Sequence, residues 1–216
     1  MISLEKKICI AGAGGLGREV LSYILDELDP KGIKAEDHVC FMQSDDHIRE
    51  TQIMGINVIP LSKFNPSTHN VVVAIGNPQV RKKFVENLPA DTKYTSIIHP
   101  SAIIYRWVDI DEGCIIMAGS IISSNIKMGK HIHLNATTTI GHDCTLGDYF
   151  TTAPAVNISG NCLIGECVYF GTNAAVKQGI TICNNVTIGM GGIVVKNITE
   201  EGVYTGVPAA KLIKKK

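Results

Sequence analysis

From Ile104 onward the chain repeats every six residues. Ile104, Ile110, Ile116 and Ile122 open a series that runs in unbroken steps of six to Ile188 and Val194; fifteen of its sixteen members are apolar, and Thr152 is the exception. Four places after each member stands a second position, which includes Cys114, Ser120, Ile126, Cys144, Val156, Cys162, Ala174 and Val186 and carries no charge anywhere. Neither a 3.6-residue helix nor a two-residue strand period requires this spacing. One large and one smaller inward side chain per six residues is the signature of a short strand and a turn wound into a coil, a parallel β-helix over about 104–199. Coils should stack about 4.8 Å apart. Glycines often follow the large residue (Gly129, Gly141, Gly147, Gly165, Gly171, Gly189) and are expected at turns where a side chain costs strain.

The first hundred residues read differently. Lys7 to Ala11 form a candidate buried strand, Gly12-Ala13-Gly14-Gly15-Leu16-Gly17 follows at once, and 18–28 has the spacing of an amphipathic helix. This is the G-x-G-x-x-G pattern in the strand-then-helix context in which glycines let the backbone approach a phosphate. Further strands are expected at 39–43 and 71–75 and a helix at 78–88, an α/β and largely parallel arrangement. A dinucleotide site normally has an acid ending the second strand. Here that strand ends in Gln43 and Ser44, with Asp45 and Asp46 beyond. About one hundred residues is also half of a double unit, which suits one nucleotide better than two.

Charge and cysteine content exclude some classes. Twenty basic and twenty acidic side chains cancel. That removes the electrostatic case for nucleic acid or an anionic membrane as the main partner. The tail lysines Lys211 and Lys214 to Lys216 read as a solvated end. No stretch approaches the ~20 apolar residues of a membrane span, and no secretory signal is evident at the N-terminus. A cytoplasmic location without membrane insertion is therefore expected. Seven scattered cysteines contain no C-x-x-C pair, so a zinc ribbon or redox motif is not expected.

His142 lies two places after the inward Ile140, so its side chain should face outward, next to Asp143. If a coil holds 18 residues, its stack neighbours are Ser124 and Gly160, and Asn161 stacks on Asp143. Gly160 is then expected to leave room beside the imidazole and to present a backbone N–H there. His131 and His133 form H-x-H, which has metal-ligand spacing but no evident third ligand. They are expected at a surface or interface, and no metal site is expected. His38, His47 and His69 read as solvent-facing, and His99 as structural. Cys114, Cys144 and Cys162 sit in the inward series, which argues against an exposed, activated thiol nucleophile.

These features resemble the hexapeptide-repeat acyltransferase superfamily, and within it the nucleotide-sugar N-acetyltransferase and sialic acid O-acetyltransferase-like subgroup. The 12–17 loop, Ala74-Ile75-Gly76-Asn77 with Arg81, His99-Pro100, Ile140-Gly141-His142-Asp143 and the ending Gly206-Val207-Pro208-Ala209-Ala210-Lys211 carry the resemblance in order and spacing. It implies a Rossmann-like sugar-nucleotide domain (1–100) before a left-handed parallel β-helix (101–216), three repeats per coil and roughly five coils. It also implies a homotrimer with active sites between subunits. The resemblance makes His142 the general base and Asp143 its partner. It assigns the sugar nucleotide to Gly12, Ala13, Gly14, Gly15, Gln43, Ser44, Gly76 and Asn77, and acetyl-CoA to Thr151, Gly160, Asn161, Thr172, Met190, Pro208 and Lys211. Some relatives carry histidine where this chain has Thr151, and some carry paired aspartates where it has Gln43-Ser44. Acetyl-CoA is the expected cosubstrate, with no permanently bound cofactor. The expected reaction is acetyl transfer to the 4-amino group of a nucleotide-linked amino-deoxysugar. O-acetylation of sialic acid or a related sugar is the alternative. A non-enzymatic sugar-nucleotide-binding protein and a nucleotide-dependent oxidoreductase are alternatives of other classes.

Overall fold

The computed structural model describes residues 4–212, so Lys214 to Lys216 lie outside the described residues. The chain divides into two compact units: 1–76 with 80–97, and 77–79 with 98–216.

In the first unit, β1 (Lys7–Ala11), α1 (Gly15–Leu28), α2 (Ala35–His38), β2 (Val39–Gln43), β3 (Gln52–Ile53), β4 (Ile56–Pro60), β5 (His69–Val73), α3 (Pro78–Glu86) and β6 (Lys93–Tyr94) follow in order. They build one six-stranded sheet, β3-β4-β2-β1-β5-β6. Every pairing in it is parallel except the β3–β4 hairpin. Ile8 to Ala11 and Val71 to Val73 are fully buried, as continuous apolar runs in covered parallel strands should be. α1 turns Gly17, Val20, Leu21, Ile24 and Leu28 inward, one helical face. Relative to the sequence expectation, β5 starts and ends two residues earlier and α3 stops two residues sooner.

The second unit is the β-helix. Its coils pair at a register of 18: Ile121 with Thr139, Thr139 with Asn157, and Asn157 with Ala175. Three sheets of two- to four-residue strands form its faces. The first strand, Ile97–Ile98, precedes the first recognised repeat by one six-residue step. One interior ladder runs through Ile116, Leu134, Phe170 and Ile188, all fully buried, with Phe150 edge-on to Phe170. Thr152 breaks that ladder without leaving a polar orphan. Its hydroxyl lies 2.8 Å from that of Thr138 and accepts the N–H of Asn135 at 3.0 Å.

The turns show what the glycines are for. Positive φ does not fall on the glycines that follow the large residue. It falls two places later, at fifteen consecutive positions from Trp107 to Gly191, of which only four are glycine. A left-handed conformation costs an L-residue about 1–2 kcal/mol. The stack offsets it, because this turn aims the N–H along the coil axis. Tyr149 donates to Lys130 O, Asn161 to His142 O and Asn185 to Glu166 O, at 2.7–2.9 Å. The other glycines exist for close approach. A Cβ on Gly147 would lie 2.7 Å from Glu166 N and Gly165 C, both backbone of the next coil.

Gly147→Ala should therefore destabilise the fold by about 1–3 kcal/mol. Gly179→Asn should stay within about 0.5 kcal/mol, because Gly179 has φ +77°, open space around its Cβ position, and asparagine at equivalent turns. Thermal unfolding of both variants checks the contrast. Equal losses would mean that backbone conformation, not contact with the next coil, selects these glycines.

Candidate functional site

The glycine loop of the first unit separates into two kinds of glycine. Gly12 has φ +104°, and a Cβ there would meet Ala74 O at 2.8 Å; one on Gly17 would meet Gly12 O at 1.9 Å. These two let the loop pack on itself and on the end of β5. Gly14 and Gly15 have nothing within 4 Å of their Cβ positions, so the open side of the loop is theirs. Gly14 is also the N-cap of α1, with no side-chain capping bond. The helix thus begins with backbone N–H groups and positive potential turned to an unobstructed surface.

Beside this loop, Ala13, Arg18, Gln43, His47, Arg49, Glu50 and Ile53 line a cleft of about 240 Å³. Sequence reasoning included Ala13 and Gln43, passed over both arginines and Glu50, and read His47 as solvent-facing, which it is. No motif marks them; the segment after β2 brings His47, Arg49 and Glu50 beside Arg18 on α1. Ser44 is half-buried, while Gly76 and Asn77 are exposed. Asp45 is turned away to the Ser62 backbone N–H (3.2 Å) and hydroxyl. These bonds hold its carboxyl below the usual range, the Ser62 hydroxyl first. Arg81, fully buried, donates from Nη1 to Ile75 O at 2.6 Å and so fixes the segment leading into Gly76-Asn77.

On the β-helix, His142 and Asp143 occupy the corner between the Thr139–Ile140 and Thr145–Leu146 strands. The imidazole and carboxylate are each about half exposed, with Nδ1 2.7 Å from Oδ2 of Asp143. The other carboxylate oxygen accepts from Asn125 Nδ2 at 2.6 Å. Asn125 first and His142 second hold the Asp143 carboxyl below its ordinary value. An ionised carboxylate only accepts hydrogen bonds. Nδ1 must therefore carry the shared proton, which leaves Nε2 as the basic nitrogen. Asn161 N–H donates to His142 O at 2.7 Å and anchors the backbone from the coil above.

Gly160 corrects one expectation: it is buried, so it does not present an open N–H in the single chain. The imidazole lies against it. A Cβ at 160 would come within 2.7 Å of both Cε1 and Nε2. The same arrangement recurs at another corner, where a Cβ on Gly113 would sit 2.3 Å from Nδ1 of His131. His131 also stacks on Tyr149, with centroids 5.3 Å apart and planes at 13°. His131 and His133 are 1% and 4% exposed. Sequence reasoning expected them at a surface or interface; turn and strand of the single chain already close over both. Among the described residues no group of three or more metal-ligating side chains occurs.

The positions assigned to acetyl-CoA spread over the prism. Gly160 and Asn161 share the corner of His142. Thr151 is buried in a strand of another sheet and donates to Tyr149 O at 3.0 Å. Thr172 and Met190 follow strands of that same sheet, at a different corner; Thr172 is half-buried and Met190 is 77% exposed. Pro208 is exposed, and the ammonium of Lys211 pairs with Glu200 at 2.9 Å. One chain therefore does not bring all of these residues together with His142.

Residues 7–88 match the family described as the PglD N-terminal domain. The chain is 30% identical over 175 residues to a GDP-perosamine N-acetyltransferase of Escherichia coli O157:H7, covering 79% of this chain and 78% of that protein. Among solved structures, PerB from Caulobacter crescentus, in complex with CoA and GDP-perosamine, superposes with a TM-score of 0.82 at 27% identity. The match covers 95% of this chain and 97% of PerB. The acetyltransferase domain of PglB from Neisseria gonorrhoeae FA1090, in complex with acetyl coenzyme A, gives 0.83 at 29% identity and covers 96% and 99%. Rossmann-like sheet, 18-residue coils and these likenesses converge: the chain belongs to the nucleotide-sugar N-acetyltransferases of the hexapeptide-repeat superfamily, acetyl-CoA-dependent acetyltransferases that carry a Rossmann-like domain before a left-handed β-helix.

Proposed function

We propose that this chain moves acetyl from acetyl-CoA to the 4-amino group of a nucleotide-linked amino-deoxysugar, by direct transfer with His142 as general base. The observation that carries the reading is the His142 corner. Its Nδ1 is held by an ionised Asp143, its ring is seated on Gly160, and its Nε2 is left as the proton acceptor. The amine nitrogen attacks the thioester carbonyl while Nε2 takes its proton. The tetrahedral intermediate then collapses and expels the thiolate of CoA, which recovers that proton from the imidazolium. The relatives named for GDP-perosamine support a sugar-nucleotide acceptor.

A covalent relay through cysteine finds no support. Cys144, the nearest thiol in sequence, and the adjoining Cys162 are both buried, where burial disfavours the thiolate that attack requires. The reading includes a homotrimer, with each site built between subunits. Its support is the spread of the proposed acetyl-CoA residues. A six-residue side spans at most about 20 Å at strand rise, and a second copy can offer one corner to the His142 corner of the first.

The test is a panel of GDP-, UDP- and dTDP-linked 4-amino sugars with acetyl-CoA, following free CoA and product mass together. An N-acetylated sugar nucleotide is the expected product. Acetylation only of a hydroxyl, or only of a free sugar, would replace this reading with the O-acetyltransferase alternative.

A further inference from the structure

We propose that Asn125 is a positioning residue for the base, holding the Asp143 carboxylate so that its second oxygen faces Nδ1 of His142. The inference rests on His142 acting as the base. Asn125 stands 18 residues before Asp143, so it occupies the same corner one coil below. Both residues have left-handed turns, φ 58° and 61°. Equal backbone conformations on coils about 4.8 Å apart throw two short polar side chains out in parallel, close enough to bond. Asn125 Nδ2 donates to one oxygen of Asp143 at 2.6 Å, and the other oxygen meets His142 Nδ1 at 2.7 Å.

The exposure of the pair gives this contact its importance. With both side chains half in water, an exposed imidazole–carboxylate contact is weak and competes with solvent and alternative rotamers. A carboxylate bonded at one oxygen to a neighbouring coil has far fewer orientations to lose. The imidazole is then confined on two sides, by this carboxylate at Nδ1 and by Gly160 of the coil above. Asn125 need not touch substrate to affect the rate; it acts through Asp143.

Asparagine also favours left-handed turns for its own sake, so the test separates that role. Asn125→Gly keeps the turn and removes the amide. Asn185→Gly makes the same change at an exposed turn with φ 57° on another corner. Asn125→Gly should lower kcat about tenfold with the KM for acetyl-CoA unchanged, while Asn185→Gly stays at the parent rate. Asn125→Gly combined with Asp143→Asn should be no slower than Asp143→Asn alone, because residues acting through one group are not additive. Carbon-13 titration of Asp143, a readout independent of turnover, should move upward in Asn125→Gly, since its largest downward influence is removed.

A normal kcat in Asn125→Gly, losses that multiply in the double variant, or an unmoved Asp143 titration would each overturn the proposal. His142→Ala in the same assay distinguishes the underlying reading. If that variant turns over normally while Asn125→Gly still shifts the Asp143 titration, the base assignment fails and the Asn125–Asp143 linkage stands.

Discussion

His142→Ala should lower kcat by about 10²-fold or more, leave acetyl-CoA affinity nearly unchanged, and abolish the acidic limb of the pH–rate profile. The reason lies in what the imidazole touches. Nδ1 is committed to Asp143 and the ring rests on Gly160, so Nε2 is the part left for an acceptor's proton. Acetyl-CoA does not need that proton transfer to bind. In the parent enzyme, activity should fall as pH drops because a protonated imidazole cannot accept. Asp143 takes no part in that limb: Asn125 and His142 hold its carboxyl below the usual range, so it stays ionised across the pH range tested. Asp143→Asn should therefore cost less than His142→Ala. Steady-state rates between about pH 5.5 and 9, bracketing histidine titration, decide the matter, with light scattering to confirm that each variant keeps the parent's oligomeric state. A folded His142→Ala enzyme with a near-parental kcat and an unchanged profile would remove His142 from the chemistry.

Gly14→Glu should weaken sugar-nucleotide binding roughly 10- to 100-fold and leave acetyl-CoA binding alone. The substitution suits a clean test because the backbone accepts it. Gly14 has φ −74°, and nothing lies within 4 Å of its Cβ position, so a side chain fits without strain. What it brings is negative charge at the N-terminus of α1, where a diphosphate is proposed to sit. Gly12 and Gly17 would not serve, since a Cβ at either meets backbone and would test folding instead. Calorimetry with each ligand separately reads the outcome. Equal losses for both ligands would overturn the assignment of the sugar nucleotide to this loop.

The β-helix was legible in the sequence because its constraint is periodic. Every coil presents the same two inward positions, so the pattern repeats until chance is excluded, and the 18-residue stack then places Gly160 and Asn161 over His142 and Asp143. The strand–glycine loop–helix order of the first unit was legible because a tight turn onto a helix N-terminus admits few residue types. The glycines after the large residue were expected where a side chain costs strain, and they stand there; what sequence did not separate is whether backbone conformation or space is the cause. At Gly141, Gly147 and Gly171 the answer is the backbone of the next coil.

His131 and His133 show the other limit. A histidine at an outward register position reads as exposed, yet burial depends on what closes over it, which is a property of the assembled coils. Asn125 was available to a reader who stepped back 18 residues from Asp143, but its bond needed two side-chain rotamers that no periodicity specifies. The cleft residues Arg49 and Glu50 were hidden for a related reason, since an irregular segment places them beside Arg18 of α1 and carries no repeat. Sequence alone thus determined the architecture, the outward corner of His142 and the open glycine loop, because periodic burial and steric exclusion act on residue type at fixed spacing. Tertiary structure alone decided which nitrogen of His142 faces Asp143 and which is left able to accept a proton, which carboxylate oxygen makes that contact, and which glycines make room, because those depend on side-chain rotamers and contact distances that residue type and spacing do not specify.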